Sequence, residues 1–234
     1  MLYQSVFKRY EIKFLLSLRQ KERILSVMEP HMAPDRYALS RIRNVYLDTG
    51  SYRIIRNSIE RPPYKEKLRL RSYEKATPES EIFVELKKKY NRVVYKRRVV
   101  LPEASAEEWL LKGAPCEKNE QITREIDYFK NFYGMLFPSV FLSYRREAFC
   151  CPFDRTLRIT FDNEILARCH NVSLCEDVYG EPLLSEDTVL MEVKCDGGMP
   201  LWLVRHLSEE RIYKTTFSKY GTAYKTLVFP NKCK

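Results

Sequence analysis

The stretch "KLRLRSY", residues 67–73, decides how this fold is interpreted, because its cations recur at every second position. Lys67, Arg69 and Arg71 would share one face of a β-strand, and the two leucines between them would share the other. Two unit charges about 8 Å apart repel by roughly 2 kcal/mol at an effective dielectric constant near 20. The row of cations therefore indicates either a solvated face that tolerates the repulsion or an anionic partner that relieves it.

The whole chain carries the same excess of positive charge. Its 234 residues include 41 Lys and Arg against 31 Asp and Glu, which gives a formal charge of +10. Such a balance indicates an anionic partner, which could be a nucleic acid, a membrane surface or a small polyanion. With 44% apolar residues the chain is globular. Because it contains no internal repeat and no Gly/Ser linker, we predict a single domain over residues 1–234.

The cysteines and the apolar runs indicate the compartment. Seven cysteines at scattered spacings do not form a disulfide framework, and three histidines give no zinc pattern. The apolar runs are far shorter than the about 20 residues that span a bilayer, and no signal peptide opens the chain. These features predict a reducing, cytoplasmic location.

Strand patterns recur along the chain and predict the fold class. They cover residues 9–14, 43–48, 64–73, 81–89, 92–101, 140–149, 157–165 and 188–194. Helical patterns lie between them and begin near Ser17, Asn119, Pro200 and Ser218. Many antiparallel strands with a few peripheral helices predict an α+β fold. Eight strands are enough to close a barrel, so we expect a closed or nearly closed antiparallel β-barrel that forms a tunnel.

The polar faces of these strands use a narrow set of charged residues. The two-residue period pairs Glu11 with Lys13, Glu85 with Lys87, Tyr144 with Arg146, Arg158 with Asp162, and Glu192 with Lys194. One such face is ordinarily just solvated. The repeated use of Lys, Arg and Glu favours a barrel whose charged faces point inward. A compact polyanion would balance that interior, and arginine suits phosphate because its guanidinium binds two oxygens at once.

An ordered series of motifs carries a family resemblance over nearly the whole chain. It consists of "YEIKF" (10–14), "LRLR" (68–71), "FVELK" (83–87), "SYRREAF" (143–149), "RITFD" (158–162), "MEVK" (191–194) and "FSK" (217–219). The series resembles the catalytic domain of the vacuolar transporter chaperone (VTC) polyphosphate polymerases, within the triphosphate tunnel metalloenzymes. The resemblance implies a basic tunnel that binds ATP and polyphosphate. It also implies transfer of the terminal phosphoryl group of ATP to phosphate or polyphosphate, assisted by Mn²⁺ or Mg²⁺.

The resemblance assigns roles position by position. It implies catalytic residues that clamp phosphate at Lys13, Arg69, Arg71, Lys87, Arg146 and Lys219. It implies further phosphate contacts from Lys96, Tyr144, Arg158 and Ser218. It implies that Glu192 binds the metal.

Two departures from the family pattern leave alternatives open. The wider tunnel enzymes carry Glu-x-Glu-x-Lys on the first strand, whereas here Arg9 precedes Glu11 and Lys13, which favours a polymerase over a two-metal hydrolase. No regulatory helical domain or membrane segment accompanies the motifs, so coupling to translocation would need a membrane partner protein not encoded in this chain. A triphosphatase and a non-catalytic polyphosphate-binding module remain alternatives. Nucleic acid is not expected, because the aromatic residues lie mostly opposite the charged faces.

Overall fold

The computed structural model of the protein describes residues 10–91, 93–154 and 156–232. Arg9 and Arg92, the first residues of two predicted strands, lie outside them. The chain divides into two compact units. The first takes Met1–Arg41, Tyr144–Ile165 and Pro182–Ser218, and the second takes Ile42–Ser143, Leu166–Glu181 and Lys219–Lys234. The single domain predicted from the sequence stays a prediction.

All eight predicted segments form strands. They are β1 (Tyr10–Ser17), β2 (Ala33–Asp48), β3 (Tyr64–Ser72), β4 (Glu81–Tyr90), β5 (Val93–Pro102), β6 (Phe137–Cys150), β7 (Arg158–Arg168) and β9 (Thr188–Cys195). The strand β2 begins at Ala33, earlier than the predicted start at residue 43. The sequence pattern did not reveal its first half, because these residues are exposed or half-buried and do not alternate between apolar and polar side chains. The two-residue strands β8 (Glu181–Pro182) and β10 (Lys214–Thr215) are too short to show a period.

The strands form one sheet in the order β10-β1-β9-β7-β6-β2-β3-β4-β5, with β8 beside β7. Each strand pair with a defined register is antiparallel. The antiparallel α+β class predicted from the sequence is therefore confirmed. Among the described strands this order is an open path that ends at β10 and β5, so the predicted closure of the sheet into a barrel is not observed.

The helices begin largely where the sequence signals predict. They are α1 (Leu18–Met28), α2 (Arg53–Ile59), α3 (Glu103–Leu111), α4 (Gln121–Tyr133), α5 (Leu201–Glu209), α6 (Lys219–Ala223) and α7 (Phe229–Lys232), with a π-helical turn at Tyr224–Val228. Ser17 and Gln20 form the predicted capping box of α1, and Gly134 ends α4. The helices α2 and α3 were not predicted. None of the described helices has the length and hydropathy that a membrane-spanning helix needs.

The apolar core of the first unit lies on one face of β1, β7 and β9. It includes Phe14, Leu16, Ile159, Phe161, Met191 and Val193, packed against Ile24 and Met28 of α1 and Leu203 and Leu207 of α5. Burying each such side chain contributes about 1.5–3 kcal/mol. Because neighbouring residues alternate across a strand, the charged side chains of these strands lie on the face away from this core.

The core of the second unit follows the same rule on β2, β3, β4 and β5. It includes Val45, Leu47, Leu68, Leu70, Val84, Leu86 and Val99, packed against Trp109 of α3 and Ile126 and Phe129 of α4. The two leucines of the "KLRLRSY" stretch are therefore core residues. The cations between them occupy the opposite face, and this alternation is what positions the candidate site of this unit.

Candidate functional site

A face rich in cations crosses β3, β4 and β5 in the second unit. We call it the basic face; it consists of Lys65, Lys67, Arg69, Arg71, Lys87, Lys89, Lys96 and Arg98. The strand register places Lys67, Lys87 and Lys96 directly opposite one another. One step along the strands, Glu85 lies between Arg69 and Arg98. The face therefore combines a row of lysines with a row in which one carboxylate separates two arginines.

Glu85 is the centre of the second row. Its carboxylate is 1% exposed. Arg69 donates to Glu85 Oε2 from Nε at 2.9 Å and from Nη2 at 2.7 Å, and Arg98 donates from Nε to Oε1 at 2.7 Å. Lys96 Nζ lies 2.6 Å from Oε1, and Arg71 Nε lies 3.7 Å from Oε2. Four cations thus surround one carboxylate, and the excess positive charge fits an anionic ligand.

The pKa values of this cluster follow from its charges. Burial opposes ionisation of Glu85, but Arg69, Arg71 and Lys96 outweigh it and hold the pKa of the Glu85 carboxyl well below its usual range. Partial loss of hydration, together with repulsion from Arg98 and Arg71, lowers the pKa of Lys96 to about 7 although Glu85 opposes the shift. The Lys96 side chain is 43% exposed, so a ligand in solvent can reach it. Because its pKa is about 7, the charge of Lys96 changes near neutral pH.

Buried polar residues hold the two arginines of the "LRLR" motif in place. Arg71, which is 6% exposed, donates from Nε to Oδ1 of Asn44 at 2.9 Å. Asn44 in turn donates to the carbonyl oxygen of Leu142 at 3.1 Å. Arg69 donates from Nη1 to the hydroxyl of Tyr46 at 3.1 Å. The guanidinium groups are therefore oriented before any ligand arrives, which lowers the entropic cost of binding.

Ser218 and Lys219 lie where the sequence predicts, at the start of α6. Ser218 directly precedes the helix and is half-buried, and Lys219 is its first residue and 8% exposed. Burial opposes ionisation of Tyr46, but Arg69, Arg71 and Lys219 together lower its pKa. The charge of Lys219 therefore acts on the same tyrosine as the two arginines.

In the first unit, Glu192 is the centre of a second charged cluster. Lys13 and Glu192 are register partners on β1 and β9, and Lys13 Nζ lies 3.2 Å from Glu192 Oε1. The same ammonium lies 3.6 Å from Oε1 of Glu11. Arg146 donates from Nη2 to Glu192 Oε2 at 3.2 Å. Two cations therefore flank Glu192, and two carboxylates converge on Lys13.

Asp162 fixes the orientation of Arg146. The guanidinium donates from Nε and Nη2 to the two oxygens of Asp162 at 2.6 and 2.7 Å, and Asp162 is fully buried. The Arg146 guanidinium carbon lies 5.2 Å from the centre of the Tyr144 ring. Burial opposes its charge, but Asp162, Tyr144 and Glu192 raise the pKa of Arg146 well above its usual value. Arg146 is therefore a permanently charged, pre-oriented group beside Glu192.

Two buried polar atoms on β7 lack protein partners. Arg158 pairs through Nη2 with Oδ2 of Asp35 at 2.7 Å. Among the described residues, Arg158 Nε and Thr160 Oγ1 are buried without a hydrogen-bond partner. Thr160 is also the register partner of Glu192. Because buried polar groups are rarely left unsatisfied, these two atoms are candidate hydrogen-bonding groups for water or a ligand on this face of β7.

Two carboxylates of the first unit, Glu11 and Glu192, are the candidate ligands of a divalent metal. The described residues contain no group of three or more His, Cys, Asp and Glu side chains arranged to hold a metal ion. Glu11 and Glu192 do converge on a single cationic group, Lys13. Mg²⁺ is typically bound by one or two carboxylates, with waters and substrate phosphates completing its shell, and Mn²⁺ accepts the same oxygen ligands. The predicted ligand Glu192 is therefore compatible with such a site if Glu11 joins it.

Sequence reasoning missed the residues that hold the cations. The strand period placed Glu85 and Asp162 on polar faces but gave them no role. In the structure, one oxygen of Glu85 accepts two hydrogen bonds from Arg69. Both oxygens of Asp162 accept hydrogen bonds from Arg146. Asn44 and Tyr46 were missed altogether, because their partners on β3 follow only from the register between β2 and β3. The sites proposed from the sequence stay predictions; the structure places Arg69, Arg71, Lys87 and Lys96 on the basic face, and Lys13, Arg146 and Glu192 together in the cluster of the first unit.

Comparison with solved structures defines the class of fold. The chain is similar to a "putative adenylate cyclase" from Bacillus halodurans, with a TM-score of 0.55, 14% sequence identity, and coverage of 92% of this chain and 94% of that one. A protein of the same description from Vibrio parahaemolyticus gives 0.46 at 10% identity over 94% and 98%, and the Schizosaccharomyces pombe Mediator head module gives 0.41 at 12% over 87% and 90%. No curated protein gives a significant sequence match. The Bacillus halodurans likeness shows a shared antiparallel α+β fold.

The family follows from the sequence itself. The model of the VTC domain matches residues 8–228, which is nearly the whole chain. The protein therefore belongs to the VTC domain family, and the resemblance inferred from the motifs is confirmed. This membership supports a phosphate-transferring or triphosphate-hydrolysing enzyme of the triphosphate tunnel class.

Proposed function

We propose that this protein is a polyphosphate polymerase, which transfers the terminal phosphoryl group of ATP to phosphate or polyphosphate with the help of Mn²⁺ or Mg²⁺. The observation that carries the proposal is the length of the basic face. Its cations on β3 run from Lys65 to Arg71, and six residues of extended strand span about 20 Å. A triphosphate is far shorter than this. A face with cations at every second position suits a chain of phosphates with regularly repeated negative charges.

The charged groups would act by alignment and by charge neutralisation, which are the main requirements of phosphoryl transfer. In the second unit, Arg69, Arg71, Lys87, Lys96 and Lys219 would bind phosphates along the basic face. The partners of Arg69 and Arg71 already fix their orientation. The acceptor in this reaction is itself an anionic phosphate, so the protein need not supply a general base.

The cluster of the first unit would bind phosphate oxygens beside Glu192. Lys13, Arg146 and Arg158 supply its positive charge, and the unpartnered Thr160 hydroxyl and Arg158 Nε are available to the ligand. Glu192 and Glu11 would hold the divalent ion, which when bound neutralises charge on the transferring phosphoryl group. Lys13 would then interact with phosphate rather than with both carboxylates.

One residue in the sequence, Arg9, favours polyphosphate synthesis over triphosphate hydrolysis. A two-metal hydrolase would need more carboxylates on its first strand, and Arg9 stands where the wider tunnel enzymes carry a glutamate. The proposal includes a cytoplasmic location, where ATP is plentiful. The proposed ligands are ATP and polyphosphate rather than nucleic acid, and the proposed partner is a membrane protein.

The test is incubation of the purified protein with ATP and either Mn²⁺ or Mg²⁺, followed by gel analysis of polyphosphate and a parallel assay of free phosphate. We expect long-chain polyphosphate that disappears when the metal is chelated. Lys112→Ala is the matched control, because it removes an exposed lysine that lies outside the basic face and pairs with Glu107 and Glu108. Release of free phosphate alone would support a triphosphatase instead. Binding of tripolyphosphate without turnover would leave only a binding module.

A further inference from the structure

A buried carboxylate, Asp48, organises the end of β2 in the second unit. It is fully buried and accepts four hydrogen bonds. Its Oδ1 accepts from the backbone N–H of Thr49 at 2.8 Å and of Ile54 at 3.0 Å, and its Oδ2 accepts from the N–H of Ile55 at 3.0 Å. The bonds from Ile54 and Ile55 satisfy two of the free N–H groups at the start of α2, and the bond from Thr49 lies in the connection before it. The fourth bond comes from Tyr220, which is 172 residues further along the chain.

The Tyr220 hydroxyl links α6 to this carboxylate. It donates to Asp48 Oδ2 at 2.7 Å. The Ser139 hydroxyl lies 2.8 Å from the Tyr220 oxygen and 2.9 Å from the carbonyl oxygen of Tyr46, so its single proton is shared between two acceptors. Tyr220 is 1% exposed, and this network therefore fixes the first turn of α6 in a place that water does not reach.

The ring of Tyr220 reaches the basic face. It stacks on the ring of Tyr46 with a centroid distance of 4.3 Å and an interplanar angle of 14°. Lys67 Nζ lies 5.7 Å from the centre of the Tyr220 ring. Tyr46 in turn accepts a hydrogen bond from Arg69 at 3.1 Å. A chain of contacts thus runs from the buried carboxylate to two cations of the basic face.

We propose that Tyr220, held by Asp48, is a positioning residue that fixes Lys219 and Tyr46 beside Arg69 for phosphate binding. Lys219 directly precedes Tyr220 in the chain, so the placement of its ammonium depends on how the tyrosine is anchored. The tyrosine itself is too buried to touch a ligand. The consequence for phosphate rests on the proposed function, whereas the positioning of Lys219 can be measured without it.

The test compares Tyr220→Phe, which keeps the stacked ring and removes only the hydroxyl, with Tyr224→Phe. Tyr224 lies in the following turn, is buried, and contacts the rings of Tyr52 and Phe229. Three quantities are measured for each: the thermal midpoint, the rate at which an amine-reactive reagent labels Lys219 (by peptide mass spectrometry), and the Kd for tripolyphosphate. Ser139→Ala, which removes the other hydroxyl beside Tyr220, is a second variant in case Tyr220→Phe does not fold.

In Tyr220→Phe we expect Lys219 to be labelled severalfold faster and the Kd for tripolyphosphate to rise about tenfold. Tyr224→Phe should match the wild type in both. Unchanged labelling in Tyr220→Phe and Ser139→Ala would overturn the positioning of Lys219, and faster labelling with an unchanged Kd would overturn its consequence for phosphate binding. If the wild type binds no tripolyphosphate, the proposed function fails, and the labelling rate alone decides whether Tyr220 positions Lys219.

Discussion

Arg69 and Glu85 face each other across β3 and β4, and both the Nε and the Nη2 of the arginine donate to one carboxylate oxygen, at 2.9 and 2.7 Å. The same carboxylate is also bound by Arg98 through its other oxygen. Glu85 therefore uses all its acceptor capacity on cations that would otherwise repel one another. A polyanion that binds this face meets cations which are already oriented and only partly neutralised.

Arg69→Ala should weaken phosphate binding without unfolding the protein. It removes a charge-assisted contact worth on the order of 1.5–3 kcal/mol in binding, so the Kd for tripolyphosphate should rise at least tenfold. Glu85 keeps Arg98 and Lys96 as partners, so the carboxylate is not left unpaired. Isothermal titration calorimetry measures the Kd, and a thermal scan checks the fold. An unchanged Kd in a folded variant would exclude Arg69 from the site.

Arg71→Ala should differ from Arg69→Ala by also lowering stability. Arg71 is 6% exposed and satisfies the buried Oδ1 of Asn44, which the substitution would leave without its donor. An unsatisfied buried acceptor costs about 1–3 kcal/mol. Urea unfolding should therefore show a lower free energy of unfolding than in Arg69→Ala. Equal stabilities of the two variants would contradict this expectation.

Lys96 should take up a proton when a polyanion binds. Its pKa of about 7 leaves it partly neutral at pH 7.5, and a nearby phosphate would raise that pKa. Affinity for tripolyphosphate should consequently fall as the pH rises from 6 to 8. Calorimetry in two buffers of different ionisation enthalpy measures the proton uptake. In Lys96→Arg the side chain is always charged, so the uptake should disappear; uptake that persists would assign the titration to another group.

Glu85 should make stability depend on acidity. Its folded pKa lies below its unfolded value, so its contribution to stability is fully present above the unfolded pKa of about 4.3 and is lost as the pH falls toward the folded one. Glu85→Gln removes this contribution and leaves its cations uncompensated, which should cost about 3–5 kcal/mol at pH 7. Urea unfolding between pH 7 and pH 3 tests both points. A variant that keeps the wild-type pH dependence would show that other carboxylates cause it.

Glu192→Gln should separate binding from turnover. If Glu192 holds the metal, the variant should bind tripolyphosphate within a few-fold of the wild type. It should lose metal-stimulated polyphosphate formation at least about 100-fold, which corresponds to about 2.7 kcal/mol of transition-state stabilisation. Labelled ATP with Mn²⁺ or Mg²⁺ measures the product. If Glu192 is only a counter-charge to Lys13 and Arg146, turnover should survive and binding should strengthen.

The sequence by itself determined where eight of the strands lie, apart from the first half of β2, and which face of each is charged. The two-residue period of "KLRLRSY" places Leu68 and Leu70 in the core and the cations opposite, and the structure agrees. This works because alternation is a local property of an extended chain and needs no knowledge of neighbouring strands. The ordered motifs likewise identified the family, which the match of the VTC domain model to residues 8–228 confirms.

Only the tertiary structure decided which partners each charged residue has. The ring of cations around Glu85 depends on the register of three strands, and the bond from Tyr220 to Asp48 joins residues far apart in the chain. The sequence analysis did not predict helix α2, because its cap also depends on a contact that no local pattern shows. Its N-cap, Tyr52, has a left-handed backbone and makes no side-chain cap, while the capping oxygens come from Asp48 at the end of the preceding strand. Such contacts follow from strand order and register, which a local pattern does not encode.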